Sequence, residues 1–167
     1  MHESRFTFAR GTFFKPDCAL KINIESIGDV DGYAGSHRNS EFWTKPYYGR
    51  QISDLPKDIQ ALLWKGYGAY HYMLPVCDDE YKCILCGSKQ GMDMVLYTGA
   101  SGYDNCDTLA CVFGIDKDPF ILPYATTEAG IKNIRTPGRL RTERKYPELF
   151  EYLGWCSWDA FQLWVNS

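Results

Sequence analysis

Between Ile59 and Ile115 five short β-prone runs follow one another: Ile59 to Trp64, Tyr67 to Val76, Tyr81 to Gly87, Met92 to Thr98 and Thr108 to Ile115. Lys65-Gly66, Asp78-Asp79, Lys89-Gln90-Gly91 and Tyr103-Asp104-Asn105 separate them. All are turn chemistry, because Gly tolerates positive φ and Asp and Asn side chains bond the backbone of their own turn. Evenly spaced short strands with turns between them predict an antiparallel β-sandwich. Leu62, Leu63 and Trp64 are apolar on both faces of one run, which marks a central strand.

Upstream, Leu20, Ile22 and Ile24 alternate with Lys21, Asn23 and Glu25, the period of a strand with one wet face, so this strand belongs on an outer layer. Arg5 to Phe8 and Thr12 to Phe14 read as two short strands around a turn at Arg10-Gly11. Gly28 to Ser40 holds three glycines and has no periodicity, so it reads as a long loop, with His37 as a solvated loop residue. In Glu41 to Gly49 the aromatic run is broken by Pro46. Proline has no N–H for a ladder, and the segment is therefore an edge strand or a strand end. Trp43, Tyr47 and Tyr48 form a candidate sugar platform, since aromatic faces match the C–H face of a pyranose. Their alternative role is to cover the edge of the sandwich.

After Ile115 the pattern changes. Asp118 is placed to cap a helix with Pro119 at its first position, where a missing N–H costs nothing, and Ala125 to Ile134 supply the helical body. Pro123 requires a kink or a later start. Arg135 to Pro147 reads as a solvated linker whose five cations, Arg135, Arg139, Arg141, Arg144 and Lys145, are partly paired with Glu143 and Glu148. The last stretch, Glu148 to Trp164, carries three of the five tryptophans. Burying one such side chain stabilises by roughly 1.5–3 kcal/mol, so the stretch needs a partner surface, yet only Val165, Asn166 and Ser167 follow it. On this reading the sequence stops in mid-structure. Leu149, Tyr152, Leu153, Cys156, Phe161 and Trp164 fit the apolar face of a helix as well as a strand, although Gly154 costs a helix about 1 kcal/mol.

Composition excludes several functions. Apolar residues make up 45% of the chain and aromatic residues 16%, which suits a globular fold rather than a disordered one. A net charge of −3 leaves no basic footprint, so nucleic acid is not an expected partner. No apolar stretch approaches the roughly 20 residues that span a bilayer, so no membrane partner is expected either. The first residues are polar and of mixed charge, without the apolar core of a leader, and predict a cytoplasmic location. Seven cysteines in such a chain predict free thiols. Cys83 and Cys86 have the spacing of a zinc knuckle, but within a strand they point to opposite faces, so no metal site is expected. The sequence holds no Ser/His/Asp arrangement, phosphate-binding glycine loop or zinc-protease pattern, and no cofactor is expected.

Gly154-Trp155-Cys156-Ser157-Trp158-Asp159-Ala160-Phe161 resembles the opening of the catalytic barrel in the raffinose synthase and seed imbibition protein group. That group is related to the alkaline alpha-galactosidases of glycoside hydrolase family thirty-six. There the pattern is Gly-Trp-Cys-Thr-Trp-Asp-Ala-Phe, with Ser157 standing here for threonine. The likeness runs upstream through Pro147-Glu148-Leu149-Phe150 and Asp118-Pro119-Phe120 to Trp43-Thr44-Lys45-Pro46-Tyr47-Tyr48-Gly49, covering about Glu41 to Trp164.

This resemblance implies a mainly β chain. Residues 1–118 would be an antiparallel β-sandwich forming part of a supersandwich-like N-terminal domain, 119–147 a connecting helix and linker, and 148–167 the first strand of a truncated (β/α)8 barrel. It implies a retaining glycoside hydrolase or galactosyltransferase acting on alpha-galactoside oligosaccharides of the raffinose type. Two aspartates about 5–5.5 Å apart do that chemistry, and in the family both lie on later barrel strands. No catalytic residue is therefore expected in this chain. Its carboxylates Asp78, Asp79, Glu80, Asp93, Asp104, Asp107, Asp116 and Asp118 are expected to form turns and caps. In a strand, Trp158 and Cys156 share one face while Trp155, Ser157 and Asp159 share the other. Trp158 lies nearer the rim where barrels hold substrate. With the resemblance this makes Trp158 a candidate for the galactose subsite, Asp159 a candidate beside it and Trp155 a packing residue. The rival expectation is a free-standing carbohydrate-binding or interaction sandwich without catalysis.

Overall fold

The computed structural model describes residues 3–12, 19–78, 80–98, 105–152 and 154. Ten strands and one α-helix are described: β1 (Glu3–Thr12), β2 (Leu20–Ile24), β3 (Gly32–Arg38), β4 (Thr44–Gly49), β5 (Ile59–Gly66), β6 (Ala69–Pro75), β7 (Cys77–Asp78), β8 (Tyr81–Ser88), β9 (Gly91–Tyr97), β10 (Asn105–Asp116) and α1 (Ile121–Ile131). All described strand pairs are antiparallel. The chain is mainly β, as the sequence predicts. Its hydrogen bonds, however, connect the ten strands into one curled sheet. One run, β4-β3-β5-β6-β10-β1, joins a second, β7-β8-β9-β2, through the single Ile59–Leu85 bridge of β5 with β8.

The curl exists because the two runs share a core. Leu62, Trp64, Met73 and Cys111 of the first run pack in one apolar cluster with Cys83, Leu85, Met92, Met94 and Leu96 of the second. Strand alternation sorts the side chains: in β8, Tyr81, Cys83 and Leu85 are buried while Lys82, Ile84 and Cys86 are half-buried on the other side. Cys83 and Cys86 thus face opposite ways. Burial pushes the Cys83 thiol well up and the Cys111 thiol up to about 12, so both stay protonated at neutral pH.

Three local readings are corrected by the fold. Gly28 to Ser40 is no continuous loop, since Gly32–Arg38 is a strand paired with β4 on one edge and β5 on the other. His37 stands in that strand, opposite Ile59 and Lys45. The small residues that look loop-like are what lets the strand fit: a Cβ at Gly35 would lie 3.1 Å from Ile59 Cδ1, and one at Gly49 would lie against the Tyr33 hydroxyl. Second, residues 3–12 make one continuous strand, with a register shift between Thr7 and Phe8 in place of a turn at Arg10-Gly11, while Phe13 and Phe14 lie outside the described residues. Third, α1 starts at Ile121 and stops at Ile131. Asp118 does not cap it but accepts the Phe120 N–H at 2.8 Å in a turn just before it, and Pro123 falls in the first helical turn, where its missing N–H is harmless. Pro46 does mark an edge, because β4 pairs with β3 alone.

Leu122, Thr126 and Gly130 are the buried face of α1, spaced four apart, and this face lies across β10 and β6. After the helix the chain runs irregularly through Arg135 to Pro147, broken by a short 3-10 turn at Arg141–Glu143. The Arg144 guanidinium donates twice to the Arg139 carbonyl, at 3.2 and 3.1 Å, and Glu143 accepts the Leu140 N–H at 2.8 Å. No described helix is long and apolar enough to cross a membrane.

Candidate functional site

The outer face of the first run carries a trough whose shape follows from one row of residues across four strands. Tyr48 of β4 lies opposite Ala34 of β3, Ala34 opposite Leu63 of β5, and Leu63 opposite Tyr72 of β6. Residues directly opposite in a sheet share a face, so two rings flank a methyl and an isobutyl group. The next row on the same face, Gly32, Lys65 and Tyr70, repeats the arrangement with a floor that has no side chain at Gly32. Three strand spacings of about 4.8 Å separate the Tyr48 wall from the Tyr72 wall, about 14 Å in all. α1 lies on this same face, over β10 and β6 with Gly130 against Val112, so it borders the trough on its Tyr72 side, and the hollows lie over β3, β4 and β5.

Two adjoining hollows occupy the trough. One, of about 550 Å³, is lined by Asp31, Ala34, Tyr48, Arg50, Leu63, Lys65 and Tyr70, among others. The other, of about 390 Å³, is lined by Ala34, Ser36, Thr44, Lys45, Pro46, Ala61 and Tyr72, together with Gly35. Walls and floor are thus aromatic and apolar, while charged groups stand at one end and the Ser36 and Thr44 hydroxyls at the other. Burial raises the Tyr72 phenol, which therefore remains an O–H donor throughout the neutral range. The trough can hold a ligand by stacking and hydrogen bonding. Among the described residues no three His, Cys, Asp or Glu side chains gather to hold a metal ion.

The sequence-predicted platform residues are not brought together. Tyr48 is 70% exposed and faces the trough, whereas Tyr47 is opposite Gly35 on the other face and stacks on Tyr33 at 6.4 Å between ring centroids. Trp43 precedes β4 and is 69% exposed. Its carbonyl accepts the N–H groups of Asn39 and Ser40, closing the β3–β4 turn. Trp158 and Asp159, like Trp155, lie outside the described residues.

Two features escape a reading of the sequence. Tyr70 and Tyr72 carry the signal of an i, i+2 pair in a strand, but their partner wall, Tyr48, sits more than twenty positions away. Asp78 reads as a turn residue, yet it is only 2% exposed. Its Oδ1 accepts the backbone N–H groups of Arg135 at 2.8 Å and Thr136 at 3.1 Å, and Oδ2 faces the Thr108 hydroxyl at 3.5 Å. One buried carboxylate thereby fastens the segment after α1 to the sheet.

The family described as raffinose synthase or seed imbibition protein Sip1 matches residues 10–167, reaching some thirty residues further upstream than the motifs alone. A galactinol–sucrose galactosyltransferase of Pisum sativum is 26% identical over 159 residues, 89% of this chain and 19% of that protein. A stachyose synthase of Pisum sativum is 25% identical over 86% of the chain and 17% of its own length, and a galactinol–sucrose galactosyltransferase of Oryza sativa subsp. japonica is 25% identical over 95% and 22%. The chain spans about a fifth of the length of these relatives. Since the match extends from β1 through the sheet, the helix and the linker to the tryptophan-rich stretch, the chain belongs to the raffinose synthase and seed imbibition protein family.

Proposed function

We propose that this chain is the N-terminal, non-catalytic part of an enzyme that moves alpha-galactosyl groups between sugars of the raffinose type. The observation that carries this reading is the family match over residues 10–167, joined to relatives named as galactosyltransferases of which the chain covers only about a fifth. The two runs of strands folded over a common core act as the leaves of a sandwich. In this reading α1 and the linker lead to the catalytic barrel, whose first strand is the Trp155 to Phe161 stretch. A retaining pair of aspartates about 5–5.5 Å apart, carried by barrel strands outside this segment, performs the chemistry. One attacks the anomeric carbon, and the other protonates the leaving oxygen and later activates the acceptor hydroxyl.

The test compares the 167-residue chain with a longer enzyme that carries it. Galactose transfer from galactinol to sucrose is expected from the longer enzyme and absent from the chain alone. Turnover by the chain alone, abolished by a substitution within it, would overturn the proposal.

Within the longer enzyme, Trp158 and Asp159 stand at the sugar end of the first barrel strand and Trp155 packs beneath it. Trp158→Ala is expected to lower kcat/KM by roughly tenfold or more with little loss of stability. Trp155→Ala is expected to cost about 3–5 kcal/mol of stability. Unchanged kinetics in Trp158→Ala, or unfolding as severe as in Trp155→Ala, would remove Trp158 from the galactose subsite.

A further inference from the structure

We infer that the trough between Tyr48 and Tyr70/Tyr72 is a saccharide-binding site that holds an oligosaccharide of two or three rings by aromatic stacking. Three observations converge on this class of ligand. The first is shape. The rows Tyr48-Ala34-Leu63-Tyr72 and Gly32-Lys65-Tyr70 put bulky rings on the outer strands and small or flexible groups between them. The result is a channel about 14 Å across, which suits a short chain of pyranose rings.

The second is chemistry. A sugar presents apolar C–H faces and hydroxyl edges in alternation, so its site needs aromatic walls and a few polar groups at defined places. Here the apolar walls and floor lie in the middle. Asp31, Arg50 and Lys65 stand at one end, the hydroxyls of Ser36 and Thr44 at the other. A carboxylate beside cationic side chains can accept from one hydroxyl and donate to its neighbour. Neither end is a cluster of one charge, so the trough does not favour a polyanion.

The third is that the wall is built in advance. Tyr72 is half-buried between β5 and β10, and the trough lies on regular strands, which hold their side chains more rigidly than loops do. Only Tyr48 is widely exposed, and as an edge-strand ring its removal costs the fold little. An aromatic ring held exposed beside a preformed apolar floor contributes its stacking when a sugar face covers it.

The choice of saccharide, though not the geometry, rests on the reading that this family segment serves an enzyme of raffinose-type sugars. Raffinose is therefore the probe, titrated calorimetrically into the full 167-residue chain. Saturable binding is expected, weakened about tenfold by Tyr48→Ala and by Tyr70→Ala, because a lost stacking contact is worth on the order of 1.4 kcal/mol. Tyr47→Ala, on the opposite face of β4, is expected to leave binding unchanged, and unchanged circular dichroism checks that each variant folds. Absence of raffinose binding, or binding indifferent to both Tyr48→Ala and Tyr70→Ala, overturns the inference; the former is also the result if this face docks a protein surface instead. The two readings fail separately. Galactose transfer by the longer enzyme without raffinose binding here removes only this site, and raffinose binding here without transfer removes only the galactosyltransferase assignment.

Discussion

Trp64→Ala lowers the unfolding free energy by about 3–5 kcal/mol, the largest loss expected from any single truncation in the described core. Trp64 is 2% exposed and stands in β5 between β3 and β6, where its indole stacks on His71 at 5.1 Å and meets Phe113 at 5.7 Å. His71 is itself held by the Gly66 carbonyl at 3.0 Å from Nε2. Strands on both sides fix the backbone around the vacated volume, so the site cannot collapse to fill it. Trp64→Phe behaves differently. The indole N–H is buried without a hydrogen-bond partner among the described residues, and a buried unsatisfied donor costs about 1–3 kcal/mol. Phenylalanine removes that donor while leaving a smaller void, and the net change is expected to stay within about 1.5 kcal/mol. Urea denaturation of the 167-residue chain distinguishes them. Equal losses in both variants would show that neither the volume kept by phenylalanine nor the removal of the buried N–H spares the fold.

Asp78→Ala is expected to cost about 2–4 kcal/mol and to release the segment after α1, because each hydrogen bond to a charged acceptor is worth about 1.5–3 kcal/mol. The Asp78 carboxylate receives two backbone N–H groups 57 and 58 positions away in the chain. Removing it therefore unties a long-range connection, and hydrogen exchange at the Arg135 and Thr136 amides should speed up by about tenfold or more. Asp78→Asn keeps an oxygen where Oδ1 stands and turns its amide towards the Thr108 hydroxyl, which can accept. It should retain roughly half of the effect, the ratio of neutral to charged hydrogen bonds. Exchange at Arg135 and Thr136 that is indifferent to Asp78→Ala would show that other contacts hold the linker.

What the sequence settles is what short-range chemistry settles. Leu20, Ile22 and Ile24 alternate because one face of β2 is wet, and the alternation survives as half-buried and exposed positions in the strand. Pro46 keeps β4 at an edge because it has no N–H to give, and the runs from Ile59 to Ile115 become strands because glycines and acidic turns interrupt them. The tryptophan-rich motif and its upstream companions are enough to show the family, for a motif is local text.

Which groups meet is decided elsewhere. Gly32 to Arg38 has no strand signal of its own and becomes β3 because β4 and β5 offer partners on both edges and glycine lets Ile59 approach. Tyr47 and Tyr48, adjacent in sequence, part to opposite faces. Tyr48 joins Tyr70 and Tyr72 only through register across four strands. Asp78, worded like any turn aspartate, becomes a buried anchor because the chain after α1 returns to it. Register, burial and long-range return are properties of pairs of segments, and no one segment's composition encodes its partner, so these features exist only once the sheet has closed.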